Sequence, residues 1–87
     1  MRIFRINQDM DQFRMSQMKA PLENLARGPD DICLDLSRVR FLDAAGVDQI
    51  ATLSSALQAR ALDFSVVHAQ GQPLRRLQSS QVGWRLS

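Results

Sequence analysis

The hydrophobic pattern of the chain changes period several times. In "RIFRI" (2–6) Ile3, Phe4 and Ile6 stand between arginines and read as a strand. "NQD" (7–9) is a turn candidate. "MDQFRM" (10–15) fits either the second strand of an N-terminal hairpin or the lead-in to a helix. From Ser16 to Ala26 the residues Met18, Leu22, Leu25 and Ala26 recur at spacings of three and four, so they share one helical face. Pro21 suits only a first helical turn, so the regular helix is expected to begin near Ala20. "RGPDD" (27–31) stops it, with Gly28 as a left-handed cap and Pro29 unable to continue the helix.

The second half repeats this alternation. "DICLDL" (31–36) carries Ile32, Cys33, Leu34 and Leu36 and reads as a buried strand. "RVRFL" (38–42) is a short extended link. Val47, Ile50, Leu53, Ser54 and Leu57 mark a helix from about 44 to 60. "ALDFSVVHA" (61–69) is rich in strand formers, and "QGQ" (70–72) breaks the chain. Pro73 is placed to open a last helix, with Leu74, Leu77 and Val82 on its apolar face, and "GWRLS" ends the chain. Strands alternating with helices predict an α/β fold whose strands run parallel through right-handed crossovers.

Eighty-seven residues make one small domain. At this size about 60–65% of the unfolded surface can be buried, so the core is thin and a second copy or a partner matters to stability. The net charge is +2, and the arginines are spread along the chain without the density of a nucleic-acid arm. The single cysteine, Cys33, excludes an internal disulfide and a thiolate-rich metal site. "MRIFRINQDM" carries charges inside its apolar stretch, unlike a signal peptide, and no apolar run approaches the roughly 20 residues that span a bilayer. A cytoplasmic protein is expected.

Candidate chemistry is sparse. Asp43 precedes the central helix, where a carboxylate accepts from free backbone N–H groups and offsets the positive helix end. Ala44, Ala45 and Gly46 keep that tip small, and neither alanine offers a hydroxyl. His68 is the only histidine and has no second one for a dyad or metal site. Cys33 lies in an apolar strand without an evident base. Ser54, Ser55, Ser79 and Ser80 read as helix filler, and Asp35 as a cap at a strand end. Arg75 and Arg76 read as a solvated helix face, with a nucleotide or lipid head group as the alternative. Trp84 reads as a lid on the core rather than an exposed anchor. No phosphate-cradling glycine loop or nucleophile elbow is present, so neither an enzyme nor a cofactor or metal site is expected.

The stretch "ICLDLSRVRFLDAAGVDQIATLSSALQARALDFSVVHAQGQPLRRLQSSQVG" resembles the STAS domain, and "MKAPLENLARGP" looks like that family's first helix. The family includes bacterial anti-sigma factor antagonists and the cytoplasmic domains of sulfate transporters. The features that carry the likeness are an apolar strand ending in Asp-Leu-Ser, a link of about six residues, and Asp-x-x-Gly opening a helix. The resemblance implies a small, mainly parallel (mixed) β-sheet with helices packed on it, and protein binding rather than catalysis. It implies that Asp43, Ala44, Ala45, Gly46 and Val47 form the partner-binding loop. The residue before the glycine is usually a serine or threonine phosphorylated by an anti-sigma kinase, and here it is Ala45. Two partners follow from the resemblance: an anti-sigma kinase-like protein, or the ATPase of a phospholipid-transporting ABC system that carries a small STAS-like subunit. In the second subfamily Ala44 replaces a threonine. A homodimer is a further arrangement that the small core leaves open.

Overall fold

The computed structural model describes residues 1–79 and 85–86. Its elements alternate as β1 (Arg2–Arg5), α1 (Met15–Arg27), β2 (Ile32–Asp35), α2 (Ala44–Gln58), β3 (Phe64–Val67), α3 (Gly71–Gln78) and β4 (Arg85–Leu86). The strands lie in the order β1-β2-β3-β4, and every pairing among them is parallel. The order never reverses, so right-handed crossovers place the helices on one face of the sheet. The register sets Ile32, Leu34, Phe64 and Val66 on that face, where they form one core with Met18, Leu22 and Leu25 of α1, Ile50, Leu53 and Leu57 of α2, and Leu77 of α3. Cys33 and Asp35 alternate with these residues and so belong to the opposite face. β2, flanked by β1 and β3, is buried at all four positions.

The N-terminal hairpin does not form. Met10 makes a single parallel bridge with Leu42, residues 11–14 turn, and α1 starts at Met15. Asp11 organises the turn: its Oδ1 accepts the N–H groups of Phe13 at 3.1 Å and Arg14 at 2.9 Å, and its carbonyl accepts that of Met15 at 3.0 Å. Helix α1 therefore starts about a turn earlier than Pro21 suggests, with Pro21 inside it. An interior proline costs about 3 kcal/mol. The early start buries Met15 and Met18, each contributing about 1.5–3 kcal/mol, so packing wins over the local penalty.

Other expectations shift by small amounts. Gly28 is extended, with φ −72° and ψ 167°, rather than left-handed. Pro29 follows it and restricts it to that region. The turn that follows α2 places Ala61 in the left-handed region (φ 58°), and the Leu62 N–H reaches the Leu57 carbonyl at 2.9 Å. Helix α3 starts at Gly71 (φ 58°), so Pro73 is its third residue and is buried. "RL" of the chain end forms β4, which the hydrophobic pattern left unassigned. Ser80, Val82 and Trp84 lie outside the described residues.

Replacing Pro21 with Ala restores an N–H for the Gln17 carbonyl and is expected to stabilise the fold by about 1–3 kcal/mol, read by urea unfolding. A lower midpoint for Pro21→Ala would show that the proline is fitted to its surroundings rather than tolerated.

Candidate functional site

The carboxyl ends of β1, β2 and β3 carry three segments that converge on the start of α2. The central one is the link from Ser37 to Asp43. Met10 crosses it, donating its N–H to the Phe41 carbonyl at 3.0 Å and accepting the Asp43 N–H at 3.1 Å. Asp9 Oδ1 accepts the N–H groups of Arg40 at 2.9 Å and Phe41 at 3.2 Å. From the other side, Gln72 treats Leu42 as a strand neighbour would. Its Oε1 accepts the Leu42 N–H at 2.9 Å, and its Nε2 donates to the Leu42 carbonyl at 2.8 Å. A link that is neither helix nor sheet thus has its polar backbone satisfied on both flanks.

Asp43 joins this frame to α2. Its Oδ1 accepts the Gly46 N–H at 3.1 Å, the helix cap expected of it, and its Oδ2 accepts the Gln12 N–H at 2.9 Å. One carboxylate therefore ties the helix start to the turn before α1. Gly46 is buried beneath, and the reason is steric. A Cβ there would lie 2.5 Å from Leu42 Cδ1, 2.6 Å from the Met10 carbonyl oxygen and 2.9 Å from Met10 Cβ. The first turn of α2 rests on the Met10–Leu42 crossing with no room for a methyl group. In the motif Asp-x-x-Gly, the aspartate caps and the glycine permits contact inward.

Between those two positions the surface turns outward. Ala44 is exposed, while Ala45 and Val47 are half-buried against the core. Ala44 and Val47 line a shallow groove with Asp48 of α2 and with Arg76 and Ser79 of α3 or its end. The Ser79 hydroxyl donates to the carbonyls of Arg75 at 3.1 Å and Arg76 at 3.0 Å, closing the end of α3. Of the five residues named for this loop, four therefore have surface, and Gly46 is structural. Asp9, Met10 and Gln72 were missed by sequence reasoning. Phe13 and Phe41, beside the same frame, are exposed at 80% and 45%.

The remaining candidates are dispersed. Cys33 is buried in β2, and His68 is exposed just past β3 with φ 61°. Ser54 is buried on the packing face of α2. Arg75 and Arg76 are exposed on α3. Asp35 is buried at the end of β2, where its Oδ1 accepts the Ser37 N–H at 2.8 Å. That bond holds its carboxyl below the usual carboxylate range. Burial opposes the effect, and the Arg5 guanidinium, 3.5 Å away, supports it. Among the described residues no three His, Cys, Asp or Glu side chains are grouped to hold a metal ion, and no helix is long and apolar enough to cross a membrane. The strand order has no reversal point among the described strands.

Two outcomes are expected. Gly46→Ala, a change that ordinary helix propensity would reward by about 1 kcal/mol, should destabilise by about 1–3 kcal/mol through overpacking on Met10 and Leu42. An unchanged or raised melting temperature would contradict the close approach. A carboxylate with a depressed folded pKa contributes stability above its unfolded pKa, and that contribution is lost as pH falls through the folded value. The Asp35 contribution should therefore be full above about pH 4 and fade below it. Acid titration should show a shallower loss in Asp35→Asn, and identical acid curves would exclude this role.

The fold has a known counterpart. The structure superposes on the anti-sigma factor antagonist SpoIIAA in its unphosphorylated form with a TM-score of 0.74 and 20% sequence identity, covering 98% of this chain and 76% of that one. At that identity the likeness establishes the fold. No curated protein matches the sequence. A family model of the STAS domain matches residues 1–83, and the chain belongs to the STAS domain family.

Proposed function

We propose that the protein is a non-enzymatic, cytoplasmic, anti-sigma factor antagonist-like module that binds a protein partner through the tip of α2, and that phosphorylation at this tip does not switch it. The observation that carries this reading is the tip itself. Asp43 and Gly46 lock its backbone onto the Met10–Leu42 crossing, and Ala44 and Ala45 present methyl groups where a phosphoacceptor needs a hydroxyl. A rigid surface loses little conformational entropy on docking. A phosphate ester would add about −1.5 to −2 charges there, and residues 43–47 have no hydroxyl to carry one. Binding is then constitutive, or controlled through the partner.

The missing hydroxyls also favour a second reading, an accessory subunit bound to the ATPase of a phospholipid-transporting ABC system, because that role requires no phosphorylation cycle. The two readings share the docking surface and differ in the partner. Mass spectrometry of the ATPase that co-purifies from the native cell separates them: a histidine-kinase-type ATPase supports the first, a transporter ATPase the second.

Ala45→Glu should weaken the complex at least tenfold, with Ala45→Ser near wild type, as measured by calorimetry with the captured ATPase. Because Ala45 is half-buried, Ala44→Glu at the exposed neighbour is the companion variant, expected to weaken binding with an unchanged melting temperature. Wild-type affinity in both glutamate variants would refute docking at the tip.

A further inference from the structure

Phe13 and Phe41 are large apolar residues left on the surface, and both flank the hydrogen-bonded frame around α2. Gln12, next to Phe13, donates its N–H to Asp43 Oδ2 at 2.9 Å. Phe41 stands two residues before Asp43 and is fixed by Met10 and Asp9 through its own carbonyl and N–H. The Phe13 N–H is held by Asp11 at 3.1 Å. Both aromatic residues therefore sit on backbone that hydrogen bonds immobilise, at the edge of the helix tip. Exposed aromatic residues grouped on ordered backbone mark a contact surface, and rings held in this way lose little entropy when they enter a pocket.

Charge supplies the second observation. Arg38 and Arg40 are exposed on the same link, with Val39 buried between them. Among the described residues neither arginine makes an ion pair. The neighbouring carboxylates of Asp9 and Asp43 are directed at backbone N–H groups. At contact distance the link presents the Phe41 ring and the guanidinium groups of Arg38 and Arg40.

We infer that Phe13 and Phe41 are the anchoring side chains of this surface, and that the partner is a protein offering apolar sockets beside acidic side chains that meet Arg38 and Arg40. The inference rests on the reading of the α2 tip as a docking surface. An anionic membrane is the competing match for aromatic residues beside arginines. It is disfavoured because membranes act through summed charge over a Debye length of about 8 Å. Lipid-binding segments concentrate about four to eight basic residues, and the link carries two, Arg38 and Arg40.

The test uses the full chain in its native cell, with the photo-crosslinker p-benzoylphenylalanine at position 48, exposed one turn from the tip. Irradiation should yield a discrete adduct with one protein. Phe13→Ala with Phe41→Ala should lower its yield at least tenfold at an unchanged melting temperature, since both side chains are largely outside the core. Arg38→Glu with Arg40→Glu should do the same, and the cross-linked peptide should contain Asp or Glu. Wild-type yield in the phenylalanine variant, with loss in Ala44→Glu, overturns the inference while the docking reading stands. Wild-type yield in all variants, or no adduct, removes both. Sedimentation with phosphatidylglycerol vesicles that is lost in the phenylalanine variant would reassign the rings to a membrane and overturn the inference.

Discussion

The first turn of α2 rests on the crossing of Met10 over Leu42 without an intervening side chain, and the carboxyl edge of the sheet is organised by that contact. Gly46 makes it sterically allowed, because a single methyl group would sit within 3 Å of both crossing residues. Once the helix is seated there, Asp43 is placed to bond Gly46 on one side and Gln12 on the other. The Asp9 carboxylate and the Gln72 amide then complete the backbone of the link. Three segments far apart in sequence, residues 9–12, 40–46 and Gln72, are joined by short bonds around one helix end.

That seating explains how a small domain can present a defined surface. A four-stranded sheet with helices on one face has a thin core, and its loops would ordinarily be the least stable parts. Here the link is bonded along both flanks, so the rigidity of the core reaches its edge. Ala44 projects from the seated turn, Ala45 half-fills the space above the core, and the nearby Ser79 hydroxyl is engaged by the end of α3. The same fold in SpoIIAA, at 20% identity, indicates that the architecture tolerates wide sequence change.

Much of this was legible in the sequence, and the failures have physical causes. The apolar spacings of α1 and α2, the continuous apolar run of β2 and the cap at Asp43 are local signals, and the structure agrees with them. Pro21 is a strong local signal that misled, because the burial of Met15 and Met18 outweighs it. Met10 was ambiguous because a one-residue bridge has no strand period. Asp9 and Gln72 left no trace, since each bonds to backbone about 30 residues away and any polar residue in a turn looks alike in sequence. Gly46 was read as smallness facing a partner. It proved to be smallness facing inward, a distinction that requires knowing what lies beneath the helix.

The most direct measurement is amide hydrogen exchange from Arg40 to Val47, alone and with the co-purified ATPase. In the free protein, the amides of Arg40 to Asp43 and Gly46, each bonded within the frame, should exchange slowly. In the complex, added protection should centre on the α2 tip. Fast exchange across the link in the free protein, or protection appearing only at a distant face of the sheet, would contradict a rigid tip that serves as the contact surface.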